Sequence, residues 1–228
     1  KIHCSLTTNG RLIDERSEIF HNLDLLSISL DGDQYEHDIY RGHGSHAAAL
    51  HALTIAQKAN VPVLLICTIT KATDLKMNYL LNLTNNFNCI LTFEILNPLF
   101  NELGAVSLRN EDMGQDKIQS LLNYWLNDIK PQVFVSSAVL KYIRDWPLSY
   151  ETFRIFKNNI PKNLKPIKCY AGTYSAFIEA NGDLVPCCLI RNDFQPNNVF
   201  QLGATNAWNQ MPENNCITCR SIGCNMQN

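Results

Sequence analysis

The chain has 228 residues, 46% hydrophobic and 18% charged, with a net charge of −2. This composition describes one compact folded domain, or one domain with a small appendage, and excludes a disordered chain. Nineteen basic residues against twenty-one acidic ones leave no cationic surplus for a nucleic acid backbone or an anionic membrane.

The longest apolar stretches, such as Val61 to Ile69, fall far below the ~20 residues that span a bilayer, and no charged-then-apolar leader is seen. A cytoplasmic protein with no nucleic acid and no membrane partner is expected. The first residue is Lys1 and a strand-like run begins at Ile2, which is read as a chain continuing upstream.

The first hundred residues alternate between apolar or β-branched runs and amphipathic ones, the signature of βα repetition. Strands are expected at Ile2 to Thr8, Leu25 to Leu30, Val61 to Ile69 and Cys89 to Ile95. Each is nearly continuously apolar, as a parallel strand covered on both faces requires. Helices are expected at Ile13 to Asn22, Ser45 to Ala59 and Ala72 to Asn85, with Ser45 as a cap. Right-handed crossovers then place consecutive strands side by side in a curved parallel sheet. After Asn97 and Pro98 the pattern turns helical, at Gln115 to Ile129, Ser136 to Asp145 and Pro147 to Asn158. Residues 158–168, rich in Pro, Asn and Lys, read as a linker between an α/β body at 1–157 and a different segment at 169–228.

Six of the nine cysteines lie in that last segment: Cys169, Cys187, Cys188, Cys216, Cys219 and Cys224. All six histidines precede residue 52, so the segment offers thiolates alone. A Cys-x2-Cys turn lets two sulfurs converge on one metal. A disulfide framework is disfavoured without a secretory leader, while spacing alone does not separate structural zinc from an iron-sulfur cluster. Cys4, Cys67 and Cys89 are expected as buried core thiols.

Three runs carry a family resemblance: Leu6-Thr7-Thr8-Asn9-Gly10-Arg11-Leu12-Ile13, Ser27-Ile28-Ser29-Leu30-Asp31-Gly32, and His37-Asp38-Ile39-Tyr40-Arg41-Gly42. They resemble the middle of a radical SAM enzyme. Cys169 followed by Gly182, Pro186 and Cys187 in a Cys-x12-Gly-x4-Cys pattern resembles the auxiliary cluster region called SPASM, or its shorter twitch form. The resemblance implies an α/β fold, an incomplete open (β/α) barrel with parallel strands, followed by a small Cys-rich cluster-binding domain.

It implies Asn9, Ser29, Asp31 and Arg41 around S-adenosylmethionine, at strand ends where α/β sheets bind ligands. Arg41 is read as a surface-loop residue that holds a carboxylate and carries little of the fold. His37, His43 and His46 are read as loop and cap residues. For the auxiliary 4Fe-4S cluster the implied ligands are Cys169, Cys187, Cys216 and Cys219, with Cys188 and Cys224 to spare.

The family's catalytic Cys-x3-Cys-x2-Cys motif does not occur in this sequence. No catalytic residue is assigned, and the catalytic 4Fe-4S cluster is expected only in a complete protein. There the resemblance implies reductive cleavage of S-adenosylmethionine to a 5′-deoxyadenosyl radical that modifies a peptide or small metabolite, with an electron donor such as a flavodoxin or ferredoxin. The rival from another class is a non-catalytic iron-sulfur or zinc-binding, electron-transfer module on a degenerate barrel.

Overall fold

The computed structural model describes residues 2–96, 114–149, 152–189 and 195–227. Two compact units divide these residues: 2–96 with 114–145, and the described residues from 146 onward. Asn97 and Pro98, where the sequence pattern changes, lie outside the described residues. No helix is long and apolar enough to cross a membrane among those residues.

The first unit is built on a parallel sheet of four strands in sequential order, β1 (Ser5–Thr8), β2 (Leu25–Ser29), β3 (Val63–Ile69) and β4 (Ile90–Ile95). Leu26, Ile28, Leu65 and Leu91 are fully buried, as the continuous apolar runs required. The registers Thr8 with Ile28 and Ser29 with Ile66 bring the carboxyl ends of β1, β2 and β3 to one edge. After β4 a single parallel bridge, Leu91 with Val133, extends the sheet beyond the expected fourth strand. Cys67 and Cys89 are buried, but Cys4 precedes β1 and is exposed. That departs from the sequence expectation, because β1 is an edge strand with no neighbour on its other side among the described residues.

The connections carry a 3-10 helix at Asp14–Asn22, then α1 (Gln34–Arg41), α2 (Ser45–Lys58) and α3 (Asn78–Phe87); α4 (Gln115–Asn127) and α5 (Ser137–Arg144) follow. A capping box starts α1: Asp33 accepts from Glu36 N at 3.0 Å, and Glu36 Oε2 accepts from Asp33 N at 3.0 Å. Ser45 does not cap α2 as its sequence position suggested. The cap is Asp38 of α1, which accepts from Gly44 N at 2.9 Å and His46 N at 2.8 Å, with the Ser45 hydroxyl at 2.9 Å.

In the second unit β5 (Arg154–Phe156) pairs antiparallel with β9 (Cys216–Cys219), while β6 (Phe177–Ile178), β7 (Asp183–Val185) and β8 (Asn197–Asn198) form another antiparallel sheet. Where a helix was expected over residues 147–158, the described residues form a strand at Arg154–Phe156. Cross-strand pairing with β9 outweighs the local helical pattern there.

The amides donated to Asp38 hold its carboxyl down at about 2. A depressed carboxyl contributes stability that is complete above its unfolded value near ~4 and lost as pH falls through its folded value. Asp38→Asn is expected to melt below the wild type at pH 6, with the gap narrowing under about pH 4 and closing near pH 2. Melting midpoints across that range check this; a gap independent of pH would contradict it.

Candidate functional site

At the carboxyl end of β2, Asp31 is 2% exposed. Arg41 Nε donates to its Oδ2, and Arg41 Nη2 donates to its Oδ1 at 2.9 Å and to Thr68 Oγ1 at 3.2 Å. Thr68 N, from β3, donates to the same Oδ1 at 2.8 Å. The Asp31 amide in turn donates to His37 Nδ1 at 3.0 Å, which leaves the ring neutral with its proton on Nε2. Burial pushes the His37 pKa down, against the attraction of Asp31.

His37 is thus a buried side chain of α1 and not a loop residue. His46, also buried, meets the Tyr79 hydroxyl at 2.9 Å beside an open groove that His43 and Asp33 also line.

The structure joins Arg41 and Asp31 directly, and Ser29, the last residue of β2, stands two residues before Asp31. Among the described residues no side chain pairs with the Ser29 hydroxyl. Asn9 is exposed at the end of β1; its Oδ1 accepts from Arg11 N at 3.1 Å, and Arg11 Nη2 donates to Arg41 O at 3.4 Å. Gly10 makes this turn feasible: its φ is +83°, and a Cβ there would lie 2.7 Å from Ala48 O of α2. Sequence reasoning missed Thr68 and Arg11. The signal was present in both, as a polar residue at the end of an apolar strand and a second arginine in the Asn-Gly-Arg turn.

Arg41 is corrected from a loop residue to the last residue of α1, and its fork grips the chain's own Asp31. Removing the guanidinium leaves a buried carboxylate without its counter-charge. Arg41→Ala is therefore expected to cost about 3 to 5 kcal/mol, and Asp31→Asn added to it to recover part of the loss. Denaturant melts of the single and double variants test this. An Arg41→Ala protein as stable as wild type would show that the pair carries no fold energy.

The second unit gathers its thiols. A hairpin between β6 and β7 turns at Gly182, whose φ is +91° and whose hydrogens face the Phe200 ring; a Cβ there would lie 2.4 Å from Phe200 Cδ2. The strand leaving that turn delivers Cys187 five residues after Gly182. Cys169 N donates to Ile217 O of β9 at 3.0 Å, so β9 sets Cys169 beside Cys216 and Cys219. The Cys-x2-Cys segment is a strand and not the turn expected from spacing.

All six thiols line one cavity of about 320 Å³, walled by Phe153, Pro186 and Leu189. Hydrogen bonds from Cys187 and Cys219 hold the Cys224 thiol well below the usual range; Cys187 is pushed up by its hydrogen bonds with Cys188 and Cys224, and Cys219 by its hydrogen bond with Cys224. Cys188 is drawn down by its hydrogen bond with Cys187, and burial pushes Cys216 up to about 11.

All nine cysteines are free thiols. Six thiols around one cavity supply more than the four ligands that a polynuclear iron-sulfur cluster takes.

Residues 169–225 match SPASM, an iron-sulfur cluster-binding domain. Over 138 residues, 56% of its length, the chain is 29% identical to the cysteine-type anaerobic sulfatase-maturating enzyme of Clostridium perfringens, and the match covers 37% of that enzyme. The fold resembles native anSMEcpe with bound AdoMet and Kp18Cys peptide, with a TM-score of 0.60 and 20% identity over 91% of this chain and 57% of that one. It also resembles Streptococcus suis SuiB bound to precursor peptide SuiA, with a TM-score of 0.64 and 13% identity over 92% of this chain and 48% of that one.

The fold is the one these radical SAM enzymes share. The chain is related to the radical SAM enzymes that carry a SPASM domain, and its residues 169–225 are that domain. The chain spans only part of its relatives, 37% of the sulfatase-maturating enzyme in the sequence match and 57% of native anSMEcpe in the structural one.

Proposed function

We propose that this chain is the larger part of a peptide-modifying radical SAM enzyme. One observation carries the reading: a single chain holds both a polar strand-end site at Ser29, Asp31 and Arg41 and a six-thiol cavity within a SPASM match. The relatives that are bound to AdoMet and to peptides support both the nucleoside and the substrate class. S-adenosylmethionine, bound beside a reducing catalytic cluster, supplies the reductive bond cleavage that starts such chemistry.

The residues of this chain do the binding. Ser29 offers a neutral donor and acceptor, Asn9 an amide at the neighbouring strand end, and Arg41 a guanidinium edge for the amino-acid carboxylate. Electrons reach the clusters from a small donor such as a flavodoxin or ferredoxin.

For the auxiliary 4Fe-4S cluster we assign Cys187, Cys216 and Cys219 as three ligands. Spacing puts Cys169 in the fourth place, whereas the contacts of Cys224 with Cys187 and Cys219 support Cys224. Cys224→Ala is expected to lower iron and sulfide below half of the wild-type content, with Cys169→Ala and Cys188→Ala retaining most of it. A site emptied by Cys169→Ala and filled in Cys224→Ala would return the ligand set to Cys169, Cys187, Cys216 and Cys219.

Anaerobic reconstitution of the chain is expected to yield about four irons and four acid-labile sulfides with visible absorption; zinc without sulfide would overturn the cluster. Lacking a Cys-x3-Cys-x2-Cys motif, the 228-residue chain is expected to release no 5′-deoxyadenosine from S-adenosylmethionine under reducing conditions. Release above that of a metal-free control would refute this.

A further inference from the structure

We propose that Asp31 is a positioning residue, which aims the outer edge of the Arg41 guanidinium at the carboxylate of the bound nucleoside's amino-acid tail. The inference rests on the reading of this strand end as a S-adenosylmethionine site.

The geometry divides the work of the guanidinium between its two sides. Nε and Nη2 are occupied by Asp31 and Thr68. Nη1 has no partner among the described residues, and the Arg41 side chain is 27% exposed. Asp31 itself, 2% exposed and holding Arg41 Nε, Arg41 Nη2 and Thr68 N on its two oxygens, is in no position to meet a ligand. Its amide is anchored to His37, so the carboxylate is fixed on β2, β3 and α1 together.

An unrestrained arginine side chain samples many rotamers, and a fork held on one side arrives at a ligand with that freedom already lost. Ser29, the last residue of β2, lies two residues before Asp31, and among the described residues no side chain pairs with its hydroxyl. A free guanidinium edge and a hydroxyl suit a carboxylate.

Asp31 also carries a negative charge close to that position, and repulsion alone would act in the opposite sense, so that neutralising it would tighten carboxylate binding. The substitution Asp31→Asn decides between the two. Asparagine keeps size and burial, but it turns an amide N–H toward either Arg41 Nε or Thr68 N, both donors, and so releases the arginine.

The experiment is calorimetric titration of the reconstituted full chain with S-adenosylmethionine and with its decarboxylated analogue, which differ in that carboxylate. Wild type is expected to prefer S-adenosylmethionine by about 10- to 150-fold, the range for a charge-assisted hydrogen bond. In Asp31→Asn that preference is expected to fall to about one, with affinity for the decarboxylated analogue unchanged. Thr68→Val, which removes one bond to Arg41 and keeps the side-chain shape, is expected to lose about 2- to 12-fold of the preference.

A preference retained or increased in Asp31→Asn overturns the positioning role. Equal weakening of both nucleosides makes Asp31 structural only. A wild type that binds both equally overturns the role of Arg41 but leaves the nucleoside site standing. A wild type that binds neither removes the site and the inference with it.

Discussion

A buried carboxylate is the constraint on which the first unit depends. Taking Asp31 out of water costs several kcal/mol unless its lone pairs are filled by well-placed donors. Here they are filled from two elements at once, the α1 guanidinium and the β3 amide of Thr68. None of those donors can move without stranding charge. The carboxyl ends of β2 and β3 and the last turn of α1 are consequently held to one another by an electrostatic requirement as well as by packing.

The same short helix distributes further constraints around that edge. Glu36 closes the first turn of α1, and its second oxygen accepts from Asp74 N at 2.7 Å, which draws in the loop between β3 and α3. Asp38 caps α2 from the opposite face of α1. The loop drawn in by Glu36 is tied from the other side as well: Lys117 of α4 donates to Thr70 O at 3.3 Å and Thr73 O at 3.1 Å, and Trp125 Nε1 donates to Leu75 O at 3.1 Å. Buried carbonyls are costly without donors, so α4 satisfies a loop that no strand or helix of its own satisfies. Within the run Glu36-His37-Asp38-Ile39-Tyr40-Arg41, Glu36 thus holds the loop at Asp74, Asp38 the start of α2, and His37 and Arg41 together hold Asp31.

The strands were legible because a parallel strand covered on both faces leaves a continuous apolar run, and the bounds of β2 and β4 differ from expectation by one residue at an end. The role of His37 was not legible. A histidine within a polar helix reads as solvent-facing until a buried amide, here that of Asp31, requires its ring nitrogen. The strand at Arg154–Phe156 was hidden for a related reason: its partner lies some sixty residues along the chain, and local pattern carries no trace of it. Spacing likewise revealed that the six cysteines could share a site, but not which sulfurs meet. The contacts of Cys224 with Cys187 and Cys219 depend on how the segment after β9 folds back, in a helical turn at Ile222–Gln227.

The second unit solves its stability problem differently. Its strands are two to four residues long, and its buried apolar side chains, among them Phe153, Ile155, Leu184, Val185 and Ile222, make a small core. Cores of that size leave little net stability once chain entropy is subtracted. What fills the centre instead is sulfur: Cys219 packs on Phe153, with Cys187, Cys216, Cys224 and Leu189 against them.

Hydrogen bonds to Cys188 and Cys224 raise the Cys187 thiol, a hydrogen bond to Cys224 raises that of Cys219, and burial raises that of Cys216, so these three resist ionisation. Ligation requires thiolates, hence proton release, and the binding free energy of the cluster becomes folding free energy of the segment that supplies its ligands. A hydrogen-bonded ion pair fixes one site at the carboxyl edge of a parallel sheet. The other site is a small fold whose core and whose ligands are the same atoms.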